Sequence, residues 1–451
     1  MFMFHGKKQT TAFSLMNHLV RLAVFACASG AAVPARGTTV LDLKEVKAGA
    51  FAAAGCSWEA ALHRLRLAEG EYLIWDSGWD PAKPDASGSF FNDDPGLNVV
   101  LDGDCAIAVS NVVAVTRTGS KACTNSVVDL CGHDLVLELR GDCNRFWVRG
   151  ESTDIRAAVH VPAPSRLEVR GDGALDAYVY GGAPACIGSN YKEDSGTIIV
   201  NGGRIKAEHK ELDKCRLDAG LTGAAVGSGA AGNAGPIEIN GGSVSATSEK
   251  WAAGIGAGGN YRGDRNSGRA VPGAGAFDIL VTGGSVEAAG GADGGSGLGG
   301  GHSYSRDDWT GACEAASRVR ILGGTVRAVA GATGNANCGA AAIGSSMRNA
   351  GAQVVLSTTA AVVAAAQNGN NRTLVQGSTA VSDGTVRVLP TGNAASGFLV
   401  LSPQTEDPLA ADEPKNATSA RTLSGITSAF ASGTRLYSWN PHAVPTRVTV
   451  R

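Results

Sequence analysis

Three short polar groups in the sequence share one pattern, a tyrosine followed three residues later by an aspartate. They are Tyr191–Asp194, Tyr261–Asp264 and Tyr304–Asp307, and each begins three to five residues after a glycine. Tyrosine rings stack on the CH faces of sugars, and charged side chains beside them hydrogen-bond sugar hydroxyls. We therefore predict that these groups form a glycan-binding edge. Its residues are Tyr191, Asp194, Tyr261, Arg262, Asp264, His302, Tyr304, Asp307 and Asp308.

A structural interpretation of the same residues stays open. In that interpretation the tyrosines cover loop backbone and the aspartates cap turns, as aspartate commonly does. The position of the rings separates the two interpretations. A ligand edge predicts that Tyr261 and Tyr304 are neighbours on consecutive coils and that both are exposed to solvent.

Other acidic residues could hold a cation or perform catalysis. The segments Trp75–Asp80 and Asn92–Asp94 are rich in oxygen ligands for calcium, although they lack the spacing of a known calcium loop. The best catalytic set lies in Gly-Asp corners and consists of Asp102, Asp104, Arg140 and Asp142. No Ser-His-Asp order, nucleophile elbow, phosphate loop or CxxC zinc motif occurs. The sequence therefore makes no case for catalysis, and it predicts no cofactor, with calcium left open.

A regular repeat organises the middle of the chain. Apolar and polar residues alternate with period 2, which is typical of strands, and a Gly-Gly corner then supplies the positive φ of a sharp turn. The clear repeats begin at Leu167, Thr197, Pro236, Phe277 and Arg318, and a degenerate sixth begins at Gln353. Spacings of 39, 42 and 40 residues separate the second corner glycines, which are Gly203, Gly242, Gly284 and Gly324.

Each repeat continues through a variable loop to two small residues, an apolar residue and a glycine, as in Ala253–Gly256. Several short strands per coil are typical of a parallel β-helix. A propeller has a similar repeat length, but its blades need four antiparallel strands with bulky packing. We predict an all-β fold, a right-handed parallel β-helix (β-solenoid) with a short N-terminal capping helix. The corner glycines should stack, with Val200, Ile239 and Ile321 on one side of a parallel sheet.

The N-terminal residues 1–35 are predicted to be a secretory signal peptide. A basic start precedes the apolar stretch Leu22–Ala32, and Val33–Ala35 fits a small-x-small cleavage site. A lipoprotein site at Cys27 is the alternative, and the bulky Phe25 opposes it.

Three further regions follow the signal peptide. Residues 36–97 are predicted to form an N-terminal cap, with a helix over Trp58–Leu67, where apolar residues recur at helical spacing. Residues 98–366 form the parallel β-helix. Residues 367–451 lose the repeat and form a C-terminal cap or a strand-rich tail.

The composition excludes several function classes. The chain has 39 Lys+Arg against 41 Asp+Glu, so it lacks the basic footprint of a nucleic-acid binder. No apolar run in its body approaches the roughly 18 residues of a transmembrane helix. Ten cysteines are present, and Cys123, Cys131 and Cys143 lie close enough in sequence to predict at least one disulfide in an exported protein. The oligomeric state stays open.

The order of these segments is similar to a known family. EGEYLIW at Tyr72 is followed by DLVLELRGD, AAVHVPAPSRLEVRGDGALDA and repeated INGGSVSA and AAGIGAG units. This resembles the secreted bacterial carbohydrate-binding parallel β-helix proteins of the pectate-lyase-like superfamily, over roughly Tyr72–Ala366. The resemblance implies a calcium-assisted binder of acidic sugars without lyase activity. It carries over no individual calcium ligand, because no ligand motif matches residue by residue.

Together these features predict a secreted or cell-surface protein that binds polysaccharide along one edge of its solenoid. A glycoside hydrolase or polysaccharide lyase on the same scaffold is the alternative. A structural role as an adhesin stalk is a third hypothesis, and it belongs to a different class because it needs no ligand site.

Overall fold

The structure is a computed structural model, and the features below belong to the compact unit Thr39–Arg451. It describes residues 37–439 except for 50, 52, 85–86, 94, 118–124, 151–154, 211–221, 262–274, 305–316, 333–338, 347–351, 358–359, 366–371, 375–384, 390–396, 402–419 and 422–434.

Short strands dominate the described residues, beside the α-helix α1 (Leu43–Lys47) and a 3-10 helix (Ala60–Leu62). The first strands are β1 (Thr39–Asp42), β2 (Cys56–Glu59), β3 (Arg64–Leu67), β4 (Gly70–Trp75), β5 (Phe90–Asp93), β6 (Asn98–Leu101), β7 (Cys105–Ser110), β8 (Val113–Arg117), β9 (Val128–Asp129), β10 (Leu135–Arg140), β11 (Asn144–Arg149) and β12 (Val159–His160). The next are β13 (Arg166–Gly171), β14 (Ala174–Tyr180), β15 (Ile187–Gly188), β16 (Thr197–Val200), β17 (Arg204–Lys210), β18 (Val226–Gly227), β19 (Pro236–Ile239), β20 (Ser243–Ser248), β21 (Ile255–Gly256), β22 (Asn260–Tyr261), β23 (Asp278–Val281) and β24 (Ser285–Ala289). The last are β25 (Leu298–Gly299), β26 (Ser303–Tyr304), β27 (Arg318–Ile321), β28 (Thr325–Val329), β29 (Ala341–Gly344), β30 (Gln353–Ser357), β31 (Ala361–Ala365), β32 (Arg372–Leu374), β33 (Thr385–Leu389), β34 (Gly397–Leu401), β35 (Ala420–Arg421) and β36 (Arg435–Trp439).

Successive coils of the chain build three long sheets. Sheet A has the order β1-β4-β7-β10-β13-β16-β19-β23-β27-β30-β33, and sheet B has the order β2-β3-β6-β9-β12-β15-β18-β21-β25-β29-β32. Sheet C runs β5-β8-β11-β14-β17-β20-β24-β28-β31 and continues through β36, β34 and β35. Each coil adds one strand to each sheet, and neighbouring coil strands are parallel. The antiparallel exceptions lie at the sheet ends, between β2 and β3 and among β31, β36, β34 and β35. The predicted all-β, parallel, repeat-built architecture is therefore confirmed.

The core lies between the sheets and is filled by inward residues at every second strand position. Val200, Ile239, Val281 and Ile321 occupy one register column of sheet A, and all four are buried. Their predicted common orientation is confirmed. The corner glycines Gly203, Gly242, Gly284 and Gly324 also stack as predicted, since a Cβ added to each of the last three would meet the backbone of the preceding corner. Each has a φ of 74–81°, the left-handed region that favours glycine.

The predicted helix over Trp58–Leu67 is wrong. This segment forms an antiparallel hairpin, with β2 paired to β3 across the 3-10 helix. The physical reason lies in β3, where Leu65 and Leu67 are buried and the alternating Arg64 and Arg66 are not, so that the strand period of 2 overrides the helical spacing. Leu65 and Leu67 then pair with Val99 and Leu101 of β6. The α-helix of this region is α1, which follows β1.

Parallel pairing extends past both predicted limits of the solenoid, from β1 to β33 of sheet A. Cys131 is a free thiol, so the predicted disulfide among Cys123, Cys131 and Cys143 does not involve it. Cys123 lies outside the described residues. Among the helices that the structure describes, none is long and apolar enough to span a membrane.

Candidate functional site

The predicted tyrosine edge, formed by Tyr191, Tyr261 and Tyr304, is only partly within the described residues. Tyr261 of β22 pairs directly with Tyr304 of β26, because the two short strands are parallel and in register. Their predicted adjacency is confirmed, and their exposure stays a prediction. Arg262, Asp264, Asp307 and Asp308 lie outside the described residues.

The other members of the edge are placed by their own contacts. Tyr191 is half-buried, and the Lys192 ammonium lies 4.7 Å from the centroid of its ring. Asp194 is exposed, and its Oδ1 accepts a hydrogen bond of 2.8 Å from the Asn233 amide on the next coil, as the turn-capping interpretation expects. His302 is fully buried, with its ring centroid 5.6 Å from that of Trp251. The His302 side chain therefore does not face solvent.

The acidic groups considered for calcium and catalysis are engaged by the protein itself. The carboxylate of Asp76 is buried and accepts hydrogen bonds from Gly78 N (2.8 Å), Ser89 N (2.6 Å) and Ser89 Oγ (2.5 Å). Asp102 pairs with Arg66, and Asp142 pairs with Arg204. These contacts give the carboxylates roles in holding loops and corners together.

An ion cluster around a buried histidine, which the sequence did not reveal, lies on sheet B. His160 Nδ1 is 2.8 Å from Asp129 Oδ1, and its Nε2 is 2.9 Å from Glu193 Oε2. His160 and Asp129 are paired on β12 and β9, and Glu193 arrives from the loop after β15. Burial opposes the charge on the ring, but the hydrogen bonds and charges of the two carboxylates outweigh it and raise the pKa of His160 to about 8. Bonding to His160 lowers the pKa of Glu193.

This cluster is arranged for structure. Both ring nitrogens of His160 are occupied by carboxylates, so neither is placed to exchange a proton with a ligand. Its side chain is only 10% exposed. The cluster therefore fixes the loop that carries Tyr191 and Glu193 to the wall of the solenoid.

An aromatic surface lies on the outer face of sheet C, and we define it by Trp147, Tyr178 and Tyr180. Their positions follow from the strand period, because Phe146 and Val148 of β11 and the alternate residues of β14 point inward and are buried. The Trp147 and Tyr178 ring centroids are 5.6 Å apart, and those of Tyr178 and Tyr180 are 6.2 Å apart with planes inclined by 14°. All three rings are partly exposed.

Cations surround these rings. The Arg145 guanidinium lies 5.3 Å from the Trp147 ring, that of Arg149 lies 5.3 Å from Tyr180, and the Lys210 ammonium lies 5.9 Å from Tyr178. Cations at this distance over an aromatic face are attracted by the ring quadrupole. The surface therefore combines aromatic rings with hydrogen-bond donors that lie over their faces.

Two carboxylates complete the aromatic surface, and their pKa values are displaced in opposite directions. Burial raises the pKa of Asp176, against the charges of Lys206 and Arg145. Glu208 lies 3.2 Å from Lys206 and 2.9 Å from Lys210, and these bonds outweigh burial and lower its pKa. Tyr178 and Glu208 are directly paired on β14 and β17.

Sequence reasoning missed this surface, although its signal was present. The segments NRFWVR and ALDAYVY alternate apolar residues with aromatic or charged ones. Only the register of β11, β14 and β17 shows that those outward residues share one patch. Comparison of the chain with protein-family models, curated proteins and solved structures finds no match. The class of this protein is therefore defined by its fold alone. It is an all-β protein of long parallel sheets built from repeats.

Proposed function

We propose that this protein binds polysaccharide and that the aromatic surface of sheet C is its binding site. The observation that carries the proposal is the set of three partly exposed rings, Trp147, Tyr178 and Tyr180, on two adjacent strands. Pyranose rings offer CH faces that stack on such side chains, and the donors of Arg145, Arg149 and Lys210 suit hydroxyl or carboxylate oxygens. A rigid sheet holds these groups in place without a ligand.

The finer assignments of the fold belong to the same proposal. We propose a right-handed parallel β-helix, since parallel crossover connections are almost always of that hand. Its N-terminal end is closed by α1, whose Leu43 and Val46 are fully buried, and by the hairpin β2–β3. Closure of this kind protects an end coil from edge-to-edge pairing.

The resemblance to secreted proteins of the pectate-lyase-like superfamily stays part of the proposal, together with export to the cell surface or beyond it. The aromatic surface supports the carbohydrate binding that this resemblance implies. The tyrosine edge is the second location at which a glycan could bind, supported by the pairing of Tyr261 with Tyr304.

A glycan array followed by titration of any hit tests the proposal. We expect Tyr178→Ala and Tyr180→Ala to weaken binding by about 1–3 kcal/mol, by analogy with other aromatic stacking platforms. Trp75→Ala is the matched control on sheet A, and it should leave affinity unchanged. Weakening by Tyr261→Ala and Tyr304→Ala but not by Tyr178→Ala would move the site to the tyrosine edge, and an array without hits would overturn polysaccharide binding itself.

Hydrolysis of the bound glycan is the second candidate function, favoured by the opposite pKa displacements of Asp176 and Glu208. Pairs of carboxylates whose environments separate their pKa values are typical of an acid and a base. The ion pairs of Glu208 with two lysines argue for a structural role instead. A reducing-end assay on any array hit decides between them, with Asp176→Asn as the variant that should abolish product formation if the site hydrolyses.

A further inference from the structure

Two valines on the outer face of sheet C are buried, although their side chains point away from the solenoid core. Ala114 of β8 belongs to the core, so the flanking Val113 and Val115 face outward, yet they are only 0% and 1% exposed. Outward residues of β17, such as Lys206 and Lys210, are exposed. A cover therefore lies over this end of the face.

The cover is formed by residues 76–84 and 87–89, which we call the Trp79 loop. Trp79 packs with Phe91 and Trp147 over the two valines. Pro84 of the loop accepts a hydrogen bond of 3.0 Å from Arg145 Nη1. The base of the loop is closed by Asp76, which accepts bonds from Gly78 and from both the amide and the hydroxyl of Ser89. These contacts make the loop a fixed wall beside Trp147.

The face is open on the opposite side of the rings. Beyond Tyr178, the paired positions on the next strands are Glu208 and Thr247, and Ala289 follows on β24. Thr247 is exposed, and Glu208 and Ala289 are partly so. Contacts offered to a ligand therefore continue across the strands in one direction and stop at Trp147 in the other.

We infer that the aromatic surface binds the end of a glycan chain, with the terminal sugar against Trp147 and the wall of the Trp79 loop. The remaining sugars extend over Tyr178 and onto β17 and β20. Strands lie about 4.8 Å apart, close to the length of one pyranose residue, so each coil offers one sugar position. The inference rests on the proposed function. It adds that the part of the glycan recognised is a chain terminus and not an internal segment.

Calorimetric titration of the full-length protein tests the inference. The probes are cello-oligosaccharides and oligogalacturonates, each as trimer, hexamer and dodecamer. End binding predicts one protein molecule per chain at every length. It also predicts that altering one terminus, by borohydride reduction of the reducing end or by 4-O-methylation of the non-reducing end, lowers affinity about tenfold or more, which is 1.4 kcal/mol. The alteration at the other terminus should have no such effect.

A number of bound protein molecules that rises with chain length would overturn the inference and leave polysaccharide binding intact. Equal affinity for intact chains and for both altered chains would do the same. Absence of binding to both series and to every glycan of the array would overturn the proposed function itself.

A variant of the wall gives a second readout. Trp79→Ala removes the ring beside Trp147, so the dodecamer should bind nearly as tightly after its end is altered as before. Trp75→Ala is the matched control, because Trp75 lies on sheet A. The ratio of its affinities for the intact and the end-altered dodecamer should equal that of the wild type. Melting curves of both variants check that the fold is retained, and discrimination that persists in a folded Trp79→Ala protein would contradict the inference.

Discussion

Trp147 and Tyr178 lie directly opposite each other on neighbouring parallel strands, with their ring planes inclined by 50°. Residues at paired positions of one face act as a unit, because each ring limits the solvent contact of the other. We therefore expect the two rings to contribute to ligand binding together. Their separate effects should not add.

A double-mutant cycle measures this coupling. Trp147→Ala and Tyr178→Ala should each weaken glycan binding, and the double variant should lose less than the sum of the two, with a coupling energy on the order of 0.5–3 kcal/mol. Titration of the four proteins with one array hit gives the four affinities. Strict additivity would mean that the two rings contact separate parts of the ligand.

The His160 cluster predicts a loss of stability at alkaline pH. The folded pKa of His160 is raised to about 8 from 6.5, so its stabilising contribution is fully present below pH 6.5 and is lost as pH rises through 8. The shift corresponds to about 2 kcal/mol. Urea unfolding at pH 6 and pH 9 should show this loss in the wild type. In His160→Gln it should be absent, and an equal loss in both proteins would assign it to other groups.

His209 predicts the opposite dependence at acid pH. It is fully buried, its Nε2 lies 3.1 Å from Gly182 O, and burial lowers its pKa to about 4 from 6.5. The unfolded chain binds the extra proton, so stability falls as pH decreases from 6.5 to 4, by about 3 kcal/mol in total. His209→Gln retains an amide donor but cannot titrate. Its unfolding free energy should change less than that of the wild type over this range.

The column of glycines on sheet B predicts an unusually severe substitution. A Cβ at Gly227 would overlap the carbonyl oxygen of Gly256 on the next coil, and the Gly227 φ is 132°. We expect Gly227→Ala to destabilise the protein by more than about 4 kcal/mol. Few mechanisms produce a loss of stability this large, and a clash with buried backbone is one of them. Gly132→Ala is the control, because its φ is also positive but its Cβ would meet nothing within 4 Å. Equal melting temperatures of the two variants would refute the steric explanation.

Calcium dependence separates the family expectation from the proposed site at the aromatic surface. The resemblance implies calcium-assisted binding of acidic sugars, whereas Arg145, Arg149 and Lys210 already place positive charge at the aromatic surface. We expect affinity for an array hit to survive a chelator, because guanidinium and ammonium groups pair with carboxylates directly. It should instead fall with added salt. Affinity that disappears on chelation would favour the calcium-dependent hypothesis.

The corner glycines and the buried column through Val200 could be predicted from the sequence, because the later coils repeat at nearly constant spacing and one register explains them all. The earlier coils carry no such repeat. There the hairpin at Trp58 imitates helical spacing, and the pairing of Trp147 with Tyr178 depends on a register that only the structure supplies. The contacts of His160 likewise join residues about thirty positions apart on three coils.

The glycine column of sheet B also has an evolutionary consequence. Gly188, Gly227, Gly256, Gly299 and Gly344 occupy one register position, and a side chain at any of the first four would collide with the next coil. Selection can therefore change this line of the molecule very little. The outward positions of sheet C carry no such restriction, so duplication of a coil would lengthen the solenoid with its glycine column intact and supply new outward residues on which a different specificity could arise.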